Sequence, residues 1–123
     1  MTDRPYRPLL PRERALLDLL LAEDFPGAPQ LRRQSASVRG RLWNDDPTFV
    51  ELHVADSDAP RATVVARVPV EAETIHETPP QQLLVHVVEG LLDCLELVTY
   101  GTEMEELPDP TAFDRPRAQS GRS

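Results

Sequence analysis

The chain has no lysine, one cysteine, one isoleucine and one asparagine in 123 residues, and aromatics make up 5% of it. Each shortage excludes something. A lone Cys94 forbids an internal disulfide and leaves no second cysteine for a thiolate metal knuckle. No apolar run approaches the roughly 20 residues that span a bilayer. The five glycines, at 27, 40, 90, 101 and 121, are scattered, so no glycine-rich loop is present to cradle a phosphate. There is no Gly-x-Ser-x-Gly elbow and no His-Glu-x-x-His pair. Positive charge is scarce: 13 arginines face 21 acids, a net charge of −8. That balance argues against nucleic acid or an anionic membrane as partner, because phosphate neutralisation needs clustered cations. The opening MTDRPYRPLL has two prolines and no apolar centre, so no secretion signal is expected and cytoplasm is the expected location.

What is present is leucine, 17 residues of it, together with 13 prolines. Charge is unevenly spread: residues 1–41 hold eight arginines and five acids, whereas residues 42–123 hold five arginines and sixteen acids. The length suits one domain that buries a single core without metal or disulfide. We expect an extended lead-in over 1–10, one α+β domain over 11–113 and a disordered tail over 114–123.

Pro11 is placed for a first helical turn and Glu13 for the helix dipole. Leu16, Leu17, Leu20 and Leu21 then recur at helical spacing, which predicts a helix from about Pro11 to Glu23. Phe25-Pro26-Gly27 ends it, and Pro29 can open a shorter second helix carrying Leu31 and Val38. From Gly40 the period changes to two. Phe49–Val54 reads as a strand, Thr63–Val68 as another interrupted by Pro69, and Val70–Ile75 as a continuation. Gln82–Gly101 is an apolar hairpin hinged at Glu89-Gly90. The expected fold is therefore two N-terminal helices packed on a four- to five-stranded, mainly antiparallel sheet ending in a β-hairpin. Both hairpin faces are apolar. Helices would cover one; sheet curvature, the 102–113 segment or a second copy of the chain would cover the other.

Four residues stand out as binding candidates: Trp43, His53, His86 and Asp93. In a two-residue hairpin loop His86 faces Asp93, an imidazole–carboxylate pair of the kind that orients a general base. A bulge would instead set His86 opposite Leu92 or Cys94. His53, His86, Cys94 and Glu96 are acceptable metal-ligand types but lack a recognised spacing, and the two-residue register puts Cys94 and His86 on opposite faces. No metal, cofactor or catalytic residue is expected. Trp43, near Arg39, Arg41 and Asn44, could form an aromatic–cationic recognition surface or simply cap one end of the core. The acids Glu71, Glu73 and Glu77, and the run Glu103, Glu105 and Glu106, read as solvated faces.

The stretches YRPLLPRERALLDLLLAEDFPGAPQLRRQ, VPVEAE and VVEGLLDCLELVTYGTEMEELPDP resemble those of a family of small, uncharacterised bacterial proteins of high-GC genomes. The resemblance covers roughly residues 6–110. Here Glu89 stands where the family pattern has Asp, and Leu91 where it has a polar residue. The resemblance implies a shared fold and no activity, cofactor or site residue. The sequence therefore favours a non-enzymatic cytoplasmic module that binds a protein partner or itself, an immunity- or antitoxin-like role being one concrete form. The alternative is a small enzyme or ligand-binding protein, with a pocket between helices and sheet lined by His53, His86, Asp93 or Glu96.

Overall fold

The computed structural model describes residues 4–119. Two helices, α1 (Pro11–Leu21) and α2 (Ala28–Ser35), lie against an antiparallel sheet of seven strands: β1 (Arg7–Pro8), β2 (Val38–Trp43), β3 (Asp46–Val54), β4 (Val70–Glu73), β5 (Gln82–Val88), β6 (Leu91–Val98) and β7 (Arg117–Ala118). Their spatial order is β1-β2-β3-β6-β5-β4-β7. The fold is α+β, as expected. Among the described residues no helix is long and apolar enough to cross a membrane.

Helix α1 starts where the sequence places it. Pro11 occupies its first turn, and Glu13 reaches back to accept the Leu10 N–H at 2.9 Å. Glu13 is buried, and Arg7 answers its charge with two bonds of 2.5 and 3.0 Å. The arginine fork matches both carboxylate oxygens, the geometry that makes such a buried charge tolerable. Leu16, Leu17, Leu20 and Leu21 then enter the core. The end of α1 is capped by α2, whose Arg32 donates to the carbonyls of Leu21 (2.5 Å) and Glu23 (2.9 Å), as cations favour a helix C-terminus. Gly27 turns between the helices at φ +92°, with Thr63 O only 2.9 Å from where a Cβ would stand.

The sheet buries Val50, Leu52, Leu83, Val85, Val87, Leu92, Leu95 and Leu97 on the face that meets the helices. Leu107 and Phe113, from the segment after β6, join the same core. That segment therefore adds to the helix side of the sheet rather than covering its far face.

Several expectations need correction. The sheet has seven strands, not four or five. Val38 opens β2 instead of closing α2, because Ser35 ends the helix and Val38 pairs with Val54. Residues 63–68 are not a strand. Among the described residues one backbone bond ties that stretch to the hairpin, Val87 N–H to Arg67 O, with Ala62 N–H to Gly90 O just before it, and Pro69 at its end has no N–H to extend the ladder. Nor does the hairpin close the sheet: β5 and β6 lie inside it, and β7 follows on the far side of β4. The expected lead-in contributes β1, and the expected disordered tail is ordered through Gln119, held by β7 and by an Asp114 N–H bond to Glu73 O at 2.8 Å. The rest of those two segments, 1–3 and 120–123, lies outside the described residues.

Candidate functional site: the sheet face away from the helices

Cross-strand partners share a face, so the register defines the surface turned from the helices. Arg41 pairs with Glu51, Glu51 with Cys94 and His86 with Cys94; Phe49 and Leu84 both pair with Glu96, and Leu84 also pairs with Glu71. The same face takes in Gln82, Val98 and Glu73 at one end, and Val88 and Leu91 at the hairpin turn. Its apolar members Leu84, Val88, Leu91, Val98 and Phe49 are half-buried. Between them run ion pairs, Arg41–Glu51 at 3.4 Å, Arg67–Asp93 at 3.7 Å and Arg117 to Glu71 and Glu73, and a hydrogen bond between His86 and Glu96 at 2.9 Å.

The hairpin turn decides where His86 points. Glu89 and Gly90 both take positive φ, 53° and 79°, the mirror-image turn that suits the twist of paired strands. Gly90 is required there, since a Cβ would stand 2.8 Å from Ala62 O. Val88 opposes Leu91, as the two-residue loop demands. The ladder then slips: Val87 opposes Leu92, but His86 opposes Cys94, leaving Asp93 as the extra residue of a bulge. Beside the slip, two N–H groups that point out of the hairpin are satisfied by other segments. Val87 N–H donates to Arg67 O at 2.8 Å, and Leu92 N–H donates to the Gln34 side chain at 2.9 Å.

The expected His86–Asp93 pair therefore does not form. His86 Nε2 sits 2.9 Å from Glu96, and its Nδ1 accepts from Arg67 Nε at 3.2 Å. Arginine can only donate, so Nδ1 carries no proton, and the Nε2 proton is directed at Glu96. Both ring nitrogens are thus engaged within the protein. Cys94 is beside His86 on the same face, correcting the two-residue register that separated them. It is no nucleophile: burial first, then the nearby Asp93 and Glu96 carboxylates, push its thiol up to about 12 from the usual 9.0. Among the described residues no three His, Cys, Asp or Glu side chains converge as a metal site would require.

The other candidates lie apart. His53 is exposed on β3 and stacks 5.2 Å from the Tyr6 ring, over which Arg41 sits at 4.2 Å. Trp43 is 54% exposed at the tip of the β2–β3 hairpin, with its ring 5.7 Å from Phe49. It caps no core. The pocket expected between helices and sheet is not lined by His53, His86 or Glu96, because the strand period turns all three to the other face, and the bulge leaves Asp93 exposed. A cleft of about 520 Å³ lies instead near the β2–β3 tip, lined by Arg4, Pro5, Arg7, Arg41, Leu42 and Asp45. Each of its arginines already faces a carboxylate: Asp45, Glu13 and Glu51 respectively.

Sequence reasoning passed over Arg67, which lies in an irregular segment, and Gln34, which is fully buried. Gln34 Nε2 donates to Pro60 O and Gly90 O at 2.8 Å each, while its oxygen takes Leu92 N–H. The spacing Ala28, Leu31, Gln34 and Ser35 is an inward helical stripe and could have revealed it. Compared with protein-family models, curated proteins and solved structures, the chain matches none.

Proposed function

We propose that this chain is a protein-interaction module rather than an enzyme, and that the helix-free face of its sheet binds a second copy of itself. One observation carries the reading: the half-buried apolar strip of Leu84, Val88, Leu91, Val98 and Phe49 is interleaved with charges of both signs. The face carries Glu51, Glu71, Glu73, Asp93 and Glu96 against Arg39, Arg41, Arg67 and Arg117. A two-fold contact sets the same patch against itself, so a patch of one sign would repel its twin, whereas a mixed one can be matched. The excess acidity lies elsewhere, in runs such as Glu103, Glu105 and Glu106. Against catalysis stand the two occupied nitrogens of His86 and the protonated thiol of Cys94.

The test is light scattering across a concentration series, on the native chain and on Leu84→Arg. Leu84 pairs with Glu71 and Glu96, so an arginine there sits between two carboxylates and the isolated fold accepts it. The expected result is a dimer that Leu84→Arg dissociates into a folded monomer, with the native circular dichroism spectrum and a melting temperature that no longer rises with concentration. A native chain that is monomeric at every concentration, or a dimer indifferent to this substitution, would overturn the reading; capture of an unrelated protein by the same face would replace the occupant.

A further inference from the structure

Strand β4 has carboxylates built into its far edge and cations lent to them by the end of the chain. Glu71 and Glu73 have half-buried side chains, 24% and 32% exposed, and that of Glu23, just after α1, is 15% exposed. Their partners, Arg117 and Arg115, are 64% and 83% exposed. The asymmetry matters. The acids are fixed on β4 and just after α1, whereas the two arginine side chains stand out in solvent on either side of the buried Pro116.

That segment, residues 114–119, occupies β4 as an added strand. Val70 pairs with Ala118 and Glu71 with Arg117. Asp114 N–H donates to Glu73 O, and Gln119 N–H to Pro69 O, both at 2.8 Å. Arg115 grips Glu23 through two guanidine nitrogens. Beyond the buried Pro116, the contacts are main-chain bonds at a sheet edge and ion pairs in water. Such ion pairs are individually weak and screened by salt. An edge strand with unpaired N–H and C=O groups is also the standard landing place for an extended peptide.

We infer that the β4 edge is a peptide-docking site for an extended, basic Arg-x-Arg segment of a partner protein, occupied in cis by the chain's own Arg115-Pro116-Arg117. Glu71, Glu73 and Arg117 also belong to the sheet face proposed above, but the inference rests on the backbone edge of β4 and on Glu23, not on self-association. The site requires a strand conformation, a cation opposite Glu71 and Glu73, and a second cation two residues earlier reaching Glu23. The tethered strap competes at high effective concentration, so a free segment sees only the fraction of molecules whose strap is open.

The test uses a fluorescent peptide of residues 113–119, read by anisotropy against the full-length chain and its R115A/R117A variant. Both arginines are exposed, so the variant folds, which circular dichroism checks. The peptide is expected to bind the variant about tenfold more tightly than the native chain, because the cis competitor has been weakened. Binding should weaken as salt rises, and a peptide with both arginines changed to glutamate should not bind. Equal binding to the two proteins, binding to neither, or equal binding of the charge-reversed peptide would overturn the inference. So would a native dimer that survives Leu84→Arg but is lost in R117E, since the strap would then be exchanged between copies.

Discussion

Single side chains decide more here than their numbers suggest. Gln34 is the clearest case: one buried amide joins α2, the 60–62 segment and the bulged hairpin by three bonds. Gln34→Leu keeps much of the volume but strands the Leu92 N–H and the Pro60 carbonyl. Each such orphan costs about 1–3 kcal/mol, so the expected loss is about 2–6 kcal/mol, read from the urea midpoint. A loss under about 1 kcal/mol would show that water replaces the amide. Cys94 makes the opposite kind of statement. Its thiol is protonated at neutral pH and only 3% of the residue is exposed, so a thiol reagent should modify it only as fast as the chain unfolds. Burst labelling in native buffer would contradict that. The sequence made the buried thiol legible, because Cys94 falls within an apolar strand. Asp93 and Glu96 are its neighbours along β6, but the depth of burial that raises its pKa most depends on the tertiary packing, which local pattern does not give.

At the scale of elements, what could be read was whatever repeats. The leucine spacing of α1, the switch to period two, and the Glu89-Gly90 turn all follow from local sterics and one-sided burial. What could not be read depended on a partner far along the chain. Strand β2 is an example: VRGRLW has only Val38, Leu42 and Trp43 to mark it, and it is a strand because β3 offers a ladder. Strands β1 and β7 are two residues long and have no period at all. The neighbour of His86 hung on the same kind of detail. Of the two registers open to the sequence, the bulged one is present, with Asp93 as the extra residue and Cys94 opposite His86, and local pattern alone does not choose between them. The core itself was legible, and it makes a firm prediction. Leu95 is 1% exposed and lies centrally on β6, so Leu95→Ala should cost about 2–5 kcal/mol, measured by chemical denaturation. By contrast, removing residues 114–123 deletes strand β7 and its exposed ion pairs. Each such pair contributes about 0–1 kcal/mol, so a small but measurable drop in melting temperature is expected.

The whole molecule carries an excess of acid, yet its pH response should be set by a few groups that differ between folded and unfolded chain. Bonds from Arg115 hold Glu23 below its usual 4.5, and the Thr111 N–H and hydroxyl hold Asp109 below its usual 3.8. A depressed carboxyl binds its proton more weakly in the fold. The stability it supplies is complete above those ordinary values and disappears as pH falls through the lower folded ones. Cys94 works in the other direction. Its folded value is about 12 against 9.0, so the fold holds the proton that the unfolded chain releases. Its share of stability is intact below pH 9.0 and declines as pH rises towards about 12. The guanidinium groups of Arg4 and Arg115, bonded to Asp45 and Glu23, are raised above their already high ordinary value and act only beyond that range. A plot of urea midpoint against pH should therefore be flat between the two limbs, falling below about pH 4.5 and again above about pH 9. Cys94→Ala should flatten the alkaline limb and leave the acid limb alone, while Glu23→Gln should soften only the acid limb. If the alkaline limb is as steep without the thiol, desolvation of Cys94 is not its cause, and the compactness of the sheet around that residue has been overstated.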